Sequence, residues 1–214
     1  MHAATRIIRE EHAALAAMLR SIILLLDQHR RERSQPDFRA LRAMLFYVDE
    51  FPEQRHHRKE TELLFPKLRA RTPLSRKQLD RLDADHARGE HQIRELEHAL
   101  LAFEMLGDSR RAAFEQAAQR YVDFYLTHMA LEEREILPLA ERHVTVAEWN
   151  SLGEQGIDEM DQKQLPIIFG AILEECTPDE RRAMLAKLPL PVRLVLRTVG
   201  ALQYRRYVTR VRGR

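Results

Sequence analysis

His56-His57-Arg58-Lys59-Glu60-Thr61-Glu62-Leu63-Leu64-Phe65-Pro66 and His128-Met129-Ala130-Leu131-Glu132-Glu133-Arg134-Glu135-Ile136-Leu137-Pro138 are two versions of one pattern, offset by 72 residues. In each, a histidine precedes a glutamate by four positions and a proline follows that glutamate by six. On an α-helix the spacing i, i+4 sets the two side chains on one face, so an imidazole nitrogen and a carboxylate oxygen can meet at one point. Upstream of each block stands an acid–histidine pair, Glu11-His12 and Asp85-His86. The chain therefore reads as a duplicated unit: a helix carrying His, then a helix carrying His-x-x-x-Glu.

Outward from these blocks the apolar spacing predicts four helices. Ile7, Ile8, Leu15, Leu19, Ile22, Ile23 and Leu26 recur at three and four residues, which gives a helix over about 3–33. A second runs over about 37–71, with kinks expected at Pro52 and Pro66. Thr72-Pro73-Leu74-Ser75 is a turn with Ser75 placed to cap a third helix, which Gly107-Asp108-Ser109 stops. The fourth covers about 110–142. Short connections between four long helices describe an all-α, up-down-up-down four-helix bundle over residues 1–143. Residues 144–214 form a short-helix C-terminal extension broken by glycines and prolines, with ten Lys or Arg and no acid from Arg181 onward. A basic last helix from Pro191 is expected to pack on the bundle; a homodimer contact or a weak anionic contact is the other use open to it. The apolar run 165–173 is too short to span a bilayer and reads as core.

Height along the bundle decides what the histidines do. At about 1.5 Å per residue, His12 lies about 14 Å from the start of its helix and Glu60 about 17 Å from the end of the next. His86 stands about 17 Å into the third helix and Glu132 about 15 Å from the end of the fourth. Because the helices alternate in direction, all four fall in one layer. Buried carboxylates need neutralising, and a mixed imidazole–carboxylate set without sulfur suits iron or manganese, with zinc tolerated.

Composition narrows the rest. Lys and Arg total 35 against 33 Asp and Glu, a net charge of +2 that does not suit a dedicated nucleic-acid binder. The single cysteine, Cys176, rules out an intrachain disulfide and a cysteine-built metal site and reads as a small buried hydrophobe. With no apolar signal core and no stretch of transmembrane length, a cytoplasmic location is expected.

The residues just quoted, with Glu133 and the Leu-Phe-Pro and Leu-Pro endings, resemble the hemerythrin-like, HHE cation-binding domain proteins over about residues 5–142. The resemblance implies a non-haem di-iron centre, oxo- or hydroxo-bridged. His12, His56, His86 and His128 would be its terminal ligands, and Glu60 and Glu132 its bridging carboxylates. It implies a small diatomic ligand or peroxide as the partner. Oxygen carriers of the family place His-x-x-x-His on the third helix; here the residue four after His86 is Glu90. Glu90 is therefore taken as the seventh ligand, and His91, about 140° around the helix from His86, as solvent-facing. An extra anionic ligand would favour ferric iron, which points to redox chemistry, sensing or iron handling, with catalase- or peroxidase-like turnover open, rather than reversible oxygen carriage. Tyr121, Tyr125, His57 and Glu133 are candidates for supporting the ligands. His2, His29, His98 and His143 fall off the layer. A ferritin-like alternative built on Glu53-x-x-His56 and Glu95-x-x-His98 fails because His98 lies about 18 Å beyond His86. A metal-free or structural-metal helical interaction module is the remaining alternative.

Overall fold

The computed structural model describes residues 2–155, 170, 173 and 178–186. Helix α1 spans Ala3–Glu32; the His2 ring accepts from the Ala4 amide at its start, and Arg33 ends it in the left-handed region at φ 52°. The second rod begins with α2, Phe38–Val48, where Asp37 accepts from the amides of Arg39 and Ala40. It continues through a π-helical stretch Asp49–His56, α3 His57–Lys59, a π turn Glu60–Leu64 and α4 Phe65–Arg71. The third rod is α5, Arg76–Leu106. The fourth is α6, Asp108–Leu131, a π turn Glu132–Ile136 and α7, Leu137–His143. Gly107, at φ 68°, is the whole joint between α5 and α6, a backbone geometry that glycine adopts without a Cβ penalty.

The kinks expected at Pro52 and Pro66 take the form of π-helical stretches within an unbroken rod. A proline cannot donate to the carbonyl four residues back and its ring collides with it. The extra residue of a π turn absorbs that conflict: the Phe65 amide bonds Glu60 O and the Leu137 amide bonds Glu132 O, each five residues back. The two turns, 60–64 and 132–136, keep the offset of 72, so the duplication reaches the backbone. Ser75 stands at the start of α5 as expected, but its hydroxyl makes no capping bond, and Thr72 instead caps the short 3-10 turn Pro73–Ser75.

Each rod packs on two neighbours: α1 on α2 and α6, and α5 on α2 and α6, which is the square of an antiparallel bundle. The apolar interior falls into two clusters. One, around Leu19, Met44, Phe103, Phe114 and Tyr125, fills the end toward Gly107. The other, around Ile8, Phe65, Leu82, Ile136 and Trp149, fills the end that holds the chain start. Fully burying each Leu or Phe in these clusters stabilises the fold by about 1.5–3 kcal/mol. Between the clusters lies a buried polar belt of His12, His56, His57, Glu60, Asp85, His86, His128 and Glu132.

Helix α8, Val146–Glu154, closes the second end with a Thr145–Glu148 capping box, and its Trp149 stacks on His2 at 4.8 Å between ring centroids. Helix α9, Pro178–Ala186, packs on α1, with Leu185 and Leu173 buried in the first cluster. The basic last helix and Cys176 lie outside the described residues, as does most of the 165–173 run. No helix among the described residues is long and apolar enough to cross a membrane.

Candidate metal centre

Each of the four rods delivers an imidazole to the belt, the second rod delivers His57 as well, and four of these imidazoles meet in pairs. His12 Nε2 lies 3.1 Å from His56 Nε2, and His86 Nε2 lies 3.2 Å from His128 Nε2. Two imidazole nitrogens bound at right angles to an ion about 2.1 Å away would stand about 3.0 Å apart. The glutamates lie between the pairs. Glu60 Oε1 is 3.4 Å from His56 Nε2 and Glu60 Oε2 is 3.6 Å from His86 Nε2. Glu132 Oε2 is 3.2 Å from His12 Nε2 and Glu132 Oε1 is 3.3 Å from His128 Nε2. Each carboxylate thus turns one oxygen to each imidazole pair.

The electrostatics of this belt call for cations. Glu60 Oε2 and both oxygens of Glu132 are buried and accept no hydrogen bond among the described residues. Burial and the neighbouring Glu132 raise the Glu60 carboxyl, while His128 and His12 hold Glu132 well below the usual carboxylate range against the cost of burial. Burial pulls the His128 imidazole down, but Glu132 and Asp85 carry it up to about 10, whereas buried His86 beside it falls to about 3. Burial likewise opposes charge on His12 and His56, and their carboxylate neighbours raise both.

Tautomers follow from partners. His12 Nδ1 is 3.1 Å from Glu133 Oε1 and His56 Nδ1 is 2.7 Å from Glu11 Oε2. A carboxylate only accepts, so each Nδ1 carries the hydrogen and Nε2 is left as the atom that offers its lone pair to a metal ion once its own proton is displaced. Two lone pairs 3.1 Å apart repel unless a proton or a metal ion lies between them. The groups {His12, His56, Glu60, Glu132} and {Glu60, His86, His128, Glu132} each bring their donor atoms within 4.8 Å of one another. These donors fit a pair of cations sharing the two glutamates.

The family model for the hemerythrin HHE cation-binding domain matches residues 3–140. The chain belongs to that hemerythrin HHE family. No curated protein matches the chain, and no solved structure does.

Within this HHE domain, six of the seven ligand candidates converge: His12, His56, Glu60, His86, His128 and Glu132. Glu90 does not; it is exposed on α5 and joins neither group. The inward stripe of α5 runs through Leu82, Asp85, His86, Gly89, Ile93 and Leu96. His86 sits about 40° to one side of its centre, so a further four residues carry Glu90 to about 80°, out of the interior. His91 is also exposed, beside Glu95 at 3.2 Å, and His98 is exposed.

His57 is buried in the belt, not solvated. A nitrogen of its ring lies within 4.8 Å of donors on His86 and His128. Its ring nevertheless stacks on His86 with centroids 4.2 Å apart and planes 12° apart. Imidazole lone pairs lie in the ring plane, so two nearly parallel stacked rings cannot aim at one ion. His57 is a wall against which His86 rests, kept neutral by burial and by the adjacent imidazoles. Tyr125 lies parallel to His57 at 5.4 Å and edge-on to His128 at 5.6 Å, and Tyr121 packs behind it at 4.8 Å. Both tyrosines are buried.

Two supporting residues went unread in the sequence. Glu11 serves His56 on the next rod rather than its neighbour His12. Thr61 holds His86 Nδ1 through its hydroxyl at 2.8 Å. The signals were present: the acid–histidine pairs Glu11-His12 and Asp85-His86, and the alignment of Thr61 with Glu133.

Proposed function

We propose that this chain is a non-haem di-metal protein, with iron as the physiological metal, that takes a small ligand such as oxygen, peroxide or nitric oxide at the pair. The observation that carries this reading is the placement of Glu60 and Glu132, each with one oxygen toward each pair of imidazoles. His12 and His56 would hold one ion, His86 and His128 the other, and the glutamates would join them. A bound iron pair would supply two-electron redox chemistry and an open position for the ligand. The chain's own contribution is to fix donor geometry and to exclude water, with an apolar cluster on either side of the belt. Residues 1–143 form the metal-binding domain in this reading and 144–214 an appended helical extension.

Reversible oxygen carriage is not the proposed role. The anionic charge expected from Glu90 is not at the site, but Glu11 and Glu133 stand directly behind His56 and His12. A carboxylate on a ligand's far nitrogen raises its basicity, which favours the higher metal charge. Redox turnover, sensing or iron handling is therefore preferred. Elemental analysis and the absorption spectrum of the oxidised protein test the centre: two irons per chain with near-ultraviolet charge-transfer bands are expected. Fewer than about one metal per chain in unchelated, iron-replete protein would leave a helical interaction module instead. Anaerobic reduction followed by air tests the role, and an adduct that gives oxygen back under argon would refute it.

A further inference from the structure

The duplication that builds the belt is broken one layer out. Behind the first imidazole pair stand two carboxylates at hydrogen-bond distance, Glu133 on His12 at 3.1 Å and Glu11 on His56 at 2.7 Å. Behind the second pair the equivalent positions differ. Thr61, which aligns with Glu133 at the offset of 72, offers His86 a neutral hydroxyl at 2.8 Å. Asp85, which precedes His86 as Glu11 precedes His12, stops 3.9 Å short of His128 Nδ1. An aspartate is one methylene shorter than a glutamate. Arg81 at 3.6 Å and Arg88 at 3.7 Å also share its charge. Glu133 has Arg9 as well, at 3.6 Å, but on its other oxygen.

We infer that the two cation positions are unequal: the pair His12–His56 forms the tight position, filled first, and the pair His86–His128 the weaker, exchangeable one. This rests on the di-metal reading above. A carboxylate hydrogen-bonded to the far nitrogen of a metal-binding histidine fixes its tautomer and ring orientation and strengthens its lone pair, and loss of such a partner typically costs about 10–100-fold in metal affinity. The first position has two such partners. The second has a hydroxyl and a carboxylate that lies within ion-pair range but beyond hydrogen-bond distance.

Cobalt(II) titration of the chelator-stripped full chain under argon, against a competing chelator and followed by visible absorption, tests the inference. Wild type is expected to bind two cobalt ions in steps at least about tenfold apart. His128→Ala should keep the tighter step and His56→Ala should lose it. Glu11→Gln, which alters a partly exposed side chain, should weaken the tighter step about tenfold and spare the other. Thr61→Glu, which restores the repeat on an exposed residue, should tighten the weaker step. Two steps of equal affinity in wild type, or a tighter step that survives His56→Ala in protein with unchanged helical circular dichroism, would overturn it. So would a Glu11→Gln effect confined to the weaker step. Fewer than two cobalt ions bound by wild type would instead bring down the di-metal reading itself.

Discussion

Glu132 turns an oxygen to each imidazole pair and His12 belongs to only one of them, so under the shared-carboxylate reading their removal should differ in kind. Glu132 Oε2 lies 3.2 Å from His12 Nε2, and its Oε1 lies 3.3 Å from His128 Nε2. An ion held at a free concentration about 1,000 times its Kd stabilises the folded state by about 4.1 kcal/mol. For a chain of this size each kcal/mol moves the melting midpoint by about 2–4 °C, so one ion gives about 8–16 °C and two about 16–32 °C. The perturbations are Glu132→Ala and His12→Ala, each melted by circular dichroism with metal and again after chelation, with metal content measured on the same samples. Subtracting each variant's own metal-free melt removes the packing cost of the substitution. Wild type should hold two ions and show the full shift. His12→Ala should hold one ion and keep roughly half the shift, and Glu132→Ala should hold close to none and show almost no shift. A Glu132→Ala protein that keeps one full ion and half the shift would refute the shared-carboxylate geometry.

Glu90→Ala should leave metal content and midpoint unchanged, because the side chain is exposed and joins neither donor group; a lost ion would contradict its placement. Glu148 is held down to about 2 by the Thr145 backbone amide, Arg71 and the Thr145 hydroxyl. A depressed carboxyl contributes stability that is present above its ordinary range near 4.5 and lost as pH falls through about 2. Glu148→Gln should therefore melt earlier than wild type at pH 7, with a gap that narrows below pH 4 and closes near pH 2, as thermal melts across that window would show. Phe103→Ala, in the apolar cluster remote from the belt, should cost about 3–5 kcal/mol in urea unfolding yet leave two ions per folded chain by elemental analysis.

The sequence was most informative where two copies of a pattern could be laid side by side. The repeated His-x-x-x-Glu blocks and the heights of His12 and His86 sufficed for the bundle, the common layer and six converging side chains. Glu90 escaped because i, i+4 spacing ensures a shared face only when the first residue sits near the stripe's centre, and His86 sits at its edge. Glu11 escaped for a related reason. One residue before His12 is about 100° around the helix, so its carboxylate faces the neighbouring rod, and nothing within one helix's sequence says which imidazole waits there. The π turns were legible only as prolines: Pro66 and Pro138 announce a conflict with the helix, but not that one added residue would resolve it without breaking the rod.

The belt between the two apolar clusters also bears on vertical register. Leucine-rich helices tolerate sliding past one another, since one apolar contact replaces another at little cost. Here a slip of one turn, about 5.4 Å, by any rod would push an imidazole or a carboxylate into hydrocarbon and leave its partners facing leucine. Misaligned packings of these four helices are thereby penalised before any ion arrives, and the polar layer that weakens the interior is what singles out one alignment of it.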